Sequence, residues 1–342
     1  MRTAGLVLAF LLSSISGCFD FCDSPVSETQ SPYGLTADGL PALPVLDLNT
    51  PPPFIASVGS DWRDTKSLDV VLRNKAGEPF CFVEVRAVRS GDEIIIAIRF
   101  ADNTESLNRL WVYRNSVWQS GLVLDPRTKE WNGGPALDDG AAIIIPDIDA
   151  RPALVERGAT VIAVEKPATV KLDTNGKADV WLWRAQQSSP SHRATDMMLY
   201  PGTIGLLADA GTGGTEPNGE SLPIFTRKRA STTDPRILIK ADAEPLPADV
   251  RDGSGVPEGT YLPRDIINEQ TGSRADVSVI SSWNSGRWTV VFKRMLDTKN
   301  SDDVSFADPR ISYPMTIAIM NNVTWDGMLT SDPFALTFGD GR

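Results

Sequence analysis

Histidine is almost absent from this sequence: His192 is the single one in 342 residues. Hydrolytic triads need a base, and no nucleophile elbow accompanies this imidazole, so triad chemistry has no footing. Cysteine is nearly as scarce, with Cys18, Cys22 and Cys81 and neither a CxxC nor a CxxCH. That excludes a cysteine-rich zinc site and covalent c-type haem attachment through the usual motif. An excess of basic charge is missing too. The 33 Lys and Arg against 44 Asp and Glu leave a net charge of −11, and the cations are scattered rather than clustered. A phosphate backbone is gripped by clustered Lys and Arg, so nucleic acid is not expected as a partner. Finally, no amphipathic stretch of ordinary helical length is visible, and an apolar run lies at the N-terminus.

That run is informative. Arg2 precedes Leu6-Val7-Leu8-Ala9-Phe10-Leu11-Leu12, and Ile15-Ser16-Gly17-Cys18 follows. A short positive start, an apolar segment too short to span a bilayer and a small-residue cleavage site read as a signal peptide over residues 1–17. Ile-Ser-Gly-Cys resembles the bacterial lipobox, which makes Cys18 the expected lipidation site; a plain secretion signal cut near Gly17 is the alternative. Either way the mature chain is expected to be extracytoplasmic, and with lipid on Cys18 it is anchored to a bacterial membrane without a spanning helix. Cys22 and Cys81 then remain as an even pair in an oxidising compartment, which a disulfide would join if they approach within bridging distance. Residues 18–53, rich in Ser, Pro, Asp and Thr and ending in Pro51-Pro52-Pro53, read as a tether.

Residues 54–342 form the expected domain. Short β-branched runs separated by Gly-containing turns recur along it: Leu68–Arg73, Cys81–Val88, Glu93–Phe100, Ala141–Pro146, Ala159–Glu165, Asp179–Ala185, Arg236–Lys240, Asp276–Trp283, Arg287–Met295, Pro314–Met320 and Phe334–Phe338. The fold class is therefore all-β, an antiparallel β-sandwich with long loop insertions. Strand alternation puts Asp179, Trp181 and Trp183 on one face and Val180 and Leu182 on the other. Trp288, Val290 and Phe292 share a face in the same way. Two neighbouring indoles suit a wall for something large and flat, although core filling explains them as simply.

Between about residues 186 and 275 the chain turns Gly- and Pro-rich, which reads as a loop insertion beside the double-Trp strand. Asp173–Asp179 has the look of a calcium loop but lacks its closing glutamate, and Asn175-Gly176 fits a hairpin turn better. Asp147 and Asp149 are a weaker calcium candidate.

In order along the chain come Trp62, then Ile98–Thr104 with its Asp102-Asn103-Thr104, then Asp138-Asp139-Gly140-Ala141. Asp179-Val180-Trp181-Leu182-Trp183-Arg184-Ala185, Gly286–Leu296 and Tyr313–Ile319 follow. This series resembles the ethylbenzene-dehydrogenase-type haem-binding domain family over most of Trp62–Phe338. The resemblance implies a β-sandwich that holds one haem b non-covalently, with six-coordinate iron that passes electrons and no catalysis of its own. It also implies a redox partner protein or an oxidoreductase subunit as partner. Family members with histidine ligation carry His shortly before a Ser-x-Pro; Met328, in Gly327–Pro333, stands there in this chain, and methionine is a competent haem ligand. On that basis His192 and Met328 are the expected axial pair, with Trp181 and Trp183 lining the slot. Arg184 is the expected propionate partner, with Arg193 and Arg287 behind it. A lone loop histidine is also an ordinary surface residue, and Met197 and Met198 fit packing better than ligation. The alternative is a non-haem sandwich that presents Trp181, Trp183 or other aromatics to a glycan or a partner subunit.

Overall fold

The computed structural model describes residues 28–55, 62, 65–125, 128–134, 137–147, 161–164, 169–172, 177–200, 206–323 and 327–339. The first strands are β1 (Ala42–Asp47), β2 (Ser67–Arg73), β3 (Pro79–Ser90) and β4 (Glu93–Ala101). Short strands follow: β5 (Leu110–Arg114), β6 (Val117–Gln119), β7 (Leu122–Leu124) and β8 (Trp131–Gly133). Then come β9 (Gly140–Pro146), β10 (Val161–Val164), β11 (Thr169–Leu172) and β12 (Ala178–Arg184). A four-residue helix, α1 (Ser188–Ser191), leads to β13 (Thr195–Leu199), β14 (Leu207–Ala208), β15 (Gly211–Pro217), β16 (Phe225–Arg227) and β17 (Ala243–Pro245). The chain ends with β18 (Tyr261–Pro263), β19 (Asp265–Gly272), β20 (Ser278–Asn284), β21 (Arg287–Met295), β22 (Ser312–Met320), β23 (Leu329–Ser331) and β24 (Phe334–Phe338).

The fold is all-β. In the main sheet β22 and β3 are connected twice, once through β23 and β2 and once through β24 and β1, so the pairing closes on itself. Two wings leave this ring: β9-β12-β13-β14 from β22, and β4-β21-β20 from β3. The wings face each other across the main core, in which Trp181 and Trp183 of β12 meet Trp288, Val290 and Phe292 of β21. Both strands alternate as their sequences require. Val180 and Leu182 join Ala142, Ile144, Met197, Met320 and Met328 on the outer face of one wing, and Val291 packs with Trp62 and Ile95 on the outer face of the other.

Three expectations need correction. Residues 18–53 are not a tether throughout: Ala42–Asp47 forms β1, parallel to β24 over Ala42–Val45 and to β3 over Leu46–Asp47. Thr29 also reaches back to Asp332, donating to its carboxylate from the backbone at 3.3 Å and from the hydroxyl at 3.1 Å. The Pro and Ser content hid an edge that the last strand completes. The segment 186–275 is not merely loop, because β13 extends the main sheet beside β12 in antiparallel register and β15 pairs with β19. Arg236–Lys240 is irregular, keeping only one bridge from Ile239 to Ile267.

Cys18 and Cys22 lie outside the described residues, while Cys81 is buried in the main core. Among the described residues no helix is long and apolar enough to cross a membrane.

Candidate functional site: a cavity beside a buried aspartate knot

The motifs Asp102-x-Thr104 and Asp138-Asp139-Gly140 are far apart in sequence, yet the fold brings them together at one end of the core. Asp139 is fully buried. Its Oδ2 accepts from the Ser106 backbone at 2.7 Å and from the Trp288 indole at 3.0 Å, and its Oδ1 accepts from the Asn322 backbone at 3.1 Å. A single carboxylate thus pins the loop after β4 and the loop after β22 to the core Trp. Asp138, next along, accepts from the Gln186 backbone at 3.2 Å. The Gln186 side chain accepts from the Arg109 backbone at 3.0 Å and donates to the carbonyls of Arg109 (3.1 Å) and Arg236 (2.5 Å). Asp102 accepts from the Thr104 backbone at 3.0 Å. Burial pushes the Asp102 carboxyl up to about 7. It pushes Asp139 well above the carboxylate range as well, with the charge of Asp102 adding to the effect.

The loops held by this knot enclose a cavity of about 530 Å³. Its walls come from the β4–β5 loop, the β7–β8 hairpin, β18, the tip of β20 and residues 321–323. Trp131, Tyr261 and Trp283 supply aromatic rings, the first two with centroids 5.8 Å apart. Leu107, Leu110, Val123 and Leu124 supply aliphatic surface, and Lys129 and Arg236 supply positive charge. Arg236 is already paired with Asp234 at 2.7 Å and with Glu105 at 3.2 Å. The Asn103 Oδ1 and Asn321 Nδ2 atoms of the lining residues are buried without a hydrogen-bond partner. A volume in the range of small-molecule sites, a mostly apolar lining and a few unspent polar groups are the marks of a binding pocket.

The residues expected from sequence do not assemble here. Trp181 and Trp183 have no exposed surface. Trp183 stacks edge-on against Trp288 at 4.8 Å, and Trp181 is enclosed by Phe292, Phe306 and the guanidinium of Arg294. Neither faces an open slot, and neither can stack on a sugar, because the opposite wing fills that space. His192 is exposed, in the left-handed conformation at the end of α1 (φ 53°), and its carbonyl accepts from the Val279 backbone. Met328 sits instead in the outer-face cluster with Met197 and Met320. Nothing in the fold brings His192 and Met328 to opposite sides of one space. Arg184 is occupied, donating to the carbonyls of Asp138 (3.2 Å) and Val323 (3.3 Å). Arg193 donates to Ser278 at 2.8 Å, and Arg287 is exposed. Met328 has one link to the cavity: Val323, a wall residue, packs against its cluster.

Sequence reasoning missed Trp131, Tyr261 and Trp283. Trp283 was visible as the end of a strand, but Trp131 and Tyr261 lie on three-residue strands too short for alternation to register.

Residues 59–328 match the family model described as ethylbenzene dehydrogenase. The chain belongs to that family. The match takes in the aspartate knot, the double-Trp strand and every wall of the cavity. Among solved structures, one from Bacteroides uniformis described as a "putative carbohydrate-binding protein" is similar with 8% identity and a TM-score of 0.38. The similarity covers 87% of this chain and 99% of that one. No curated protein matches the sequence.

Proposed function

We propose that this member of the ethylbenzene dehydrogenase family is an extracytoplasmic, lipid-anchored binding protein whose cavity takes a flat, amphipathic, carboxylate-bearing molecule, haem b being the first candidate. The cavity's chemistry carries this reading. Aromatic and aliphatic walls suit an apolar ring system, Lys129 suits a carboxylate, and the unpaired Asn103 and Asn321 atoms await polar partners.

The fit to haem is divided. The ring and its carboxylates suit the cavity, but the expected axial pair of His192 and Met328 does not bracket it. Among the described lining residues, Lys129 is the side chain with a nitrogen able to bind iron. Bound haem would supply one-electron chemistry, the use that the family resemblance implies. What the chain itself supplies is enclosure by Trp131, Tyr261 and Trp283 and charge from Lys129.

A second reading has its own support, since three aromatic rings with four asparagines in one cavity also suit a sugar. The test is purification from a haem-competent host, followed by hemin titration of Trp131→Ala beside wild type. A Soret band that Trp131→Ala weakens supports the proposal. A colourless protein that takes up no hemin ends the haem assignment, and a glycan panel then tests the second reading.

A further inference from the structure

At the other end of the double-Trp strand lies a second buried acidic group that plays no part in the cavity. Asp179 opens β12, Asp196 stands on neighbouring β13, and Asp303 comes from the loop after β21. One carboxylate oxygen from each lies within 4.8 Å of the other two. A single guanidinium serves them: Arg294 donates to Asp179 Oδ2 at 2.5 Å and lies 3.6 Å from Asp303 Oδ1.

Asp196 is what sets this group apart from a satisfied ion pair. It has no exposed surface, and neither of its oxygens has a hydrogen-bond partner. Asp179 Oδ1 likewise accepts no hydrogen bond, nor does either oxygen of buried Asp209, whose backbone N–H donates to the Asp196 carbonyl at 3.2 Å, and Asp303 Oδ1 has only the ion pair with Arg294. Four carboxylates therefore share one buried cation, and several oxygens converge on the same space unspent. Buried carboxylates of this kind must hold protons or a cation. Burial and the charge of Asp179 drive Asp196 far above the carboxylate range and Asp209 to about 8.

We propose that Asp179, Asp196 and Asp303, with Asp209 beside them, bind a hard divalent cation between the layers of the sandwich, calcium being the first candidate. The donor set is all oxygen, with no imidazole or thiolate to draw zinc or copper. Oxygens up to 4.8 Å apart can touch one ion at the 2.3–2.6 Å spacing usual for calcium. An irregular set from two strands and a loop suits calcium better than magnesium, which demands near-ideal octahedral geometry. The site ties the β12–β13 edge of one wing to the end of β21 on the other, so its effect is on the fold rather than on the cavity.

The test uses the full chain stripped with EDTA, then melted with and without calcium chloride and titrated with terbium. Trp181, whose ring centroid lies 4.7 Å from the Arg294 guanidinium, is the built-in sensitiser for terbium emission. Calcium is expected to raise the melting midpoint by several degrees and to compete terbium away, and Asp196→Asn is expected to weaken terbium binding at least tenfold. If Asp196→Asn does not fold, Asp303→Asn in the loop makes the same measurement. Wild type that melts identically with calcium, magnesium or manganese and sensitises no terbium overturns the proposal. So does an Asp196→Asn protein that binds terbium as tightly as wild type. An Asp196→Asn protein more stable than a calcium-indifferent wild type would identify a proton-sharing network instead, and the cation site would fall.

Discussion

Replacing Asp102 with Asn tests the aspartate knot that holds the cavity loops. Asp102 is 1% exposed, and burial raises its carboxyl from 3.8 to about 7. The native state therefore holds a proton that the unfolded chain releases throughout that window. Stability falls as pH rises from about 4 to about 7 and levels off above, because the unfolded state binds fewer protons there. Each tenfold difference in proton affinity is worth about 1.4 kcal/mol, so the cost reaches at most roughly 4 kcal/mol. Coupling to Asp139 spreads it over two groups, and ~2 kcal/mol between about pH 4 and pH 7 is a realistic share. Asparagine keeps an oxygen for the Thr104 N–H and cannot ionise. Urea unfolding of both proteins across that range should give a flatter curve for Asp102→Asn, with the variant the more stable at the alkaline end. Taking the difference between the two curves cancels the titrating groups that do not interact with Asp102, leaving Asp102 and the part of Asp139 coupled to it. Parallel curves, or a variant that is less stable at about pH 7, would refute the assignment of a raised pKa to this pair.

Trp183→Ala should cost about 3–5 kcal/mol in chemical denaturation, the usual penalty for emptying a buried indole site; a loss below about 1 kcal/mol would mean that the indole is not core. Trp131→Ala, on a half-buried rim, should change stability by less than about 1 kcal/mol, while weakening ligand uptake in the titration described above. Cys18→Ala should release the protein from membranes or block its processing, as fractionation and intact mass would show; an unchanged mature mass in the membrane fraction would rule out lipidation at Cys18.

Alternation made the inner layers readable. Trp181 and Trp183, and Trp288, Val290 and Phe292, fall on the faces that period-two spacing assigns them, and β4, β9, β12, β20 and β21 appear within a few residues of their expected ends, whereas β13 and β14 lie in a stretch that read as loop. Spacing carries no information on what lies opposite a face. Trp181 was open to a ligand wall as well as to packing, the simpler reading of the pattern, and the position of Phe292, Phe306 and Arg294 decides for packing. His192 drew notice because it is alone, but scarcity has no geometry, and the turn that ends α1 places it on the surface. The cavity was hidden for a different reason. Its walls come from short strands and loops between Asn103 and Val323, whose meeting depends on Asp139 hydrogen bonds to backbone groups that no pattern marks. β1 was obscured because its partner, β24, lies far away in sequence, and an edge residue shows its preference only once that partner exists.

The pairing of β1 with β24 also constrains how the molecule is made. β1 must wait for β24, since Ala42–Val45 finds its register only against Ala335–Phe338. Until then β3 and β22 are linked on one side alone, and the open ladder edges of β1 and β22 are templates for another chain. Closure between strands so far apart in sequence is a slow step in a β-topology. A ribosome stalled before Phe334 would leave a sandwich with its seam undone, which gives a chaperone or a protease a long interval in which to find it.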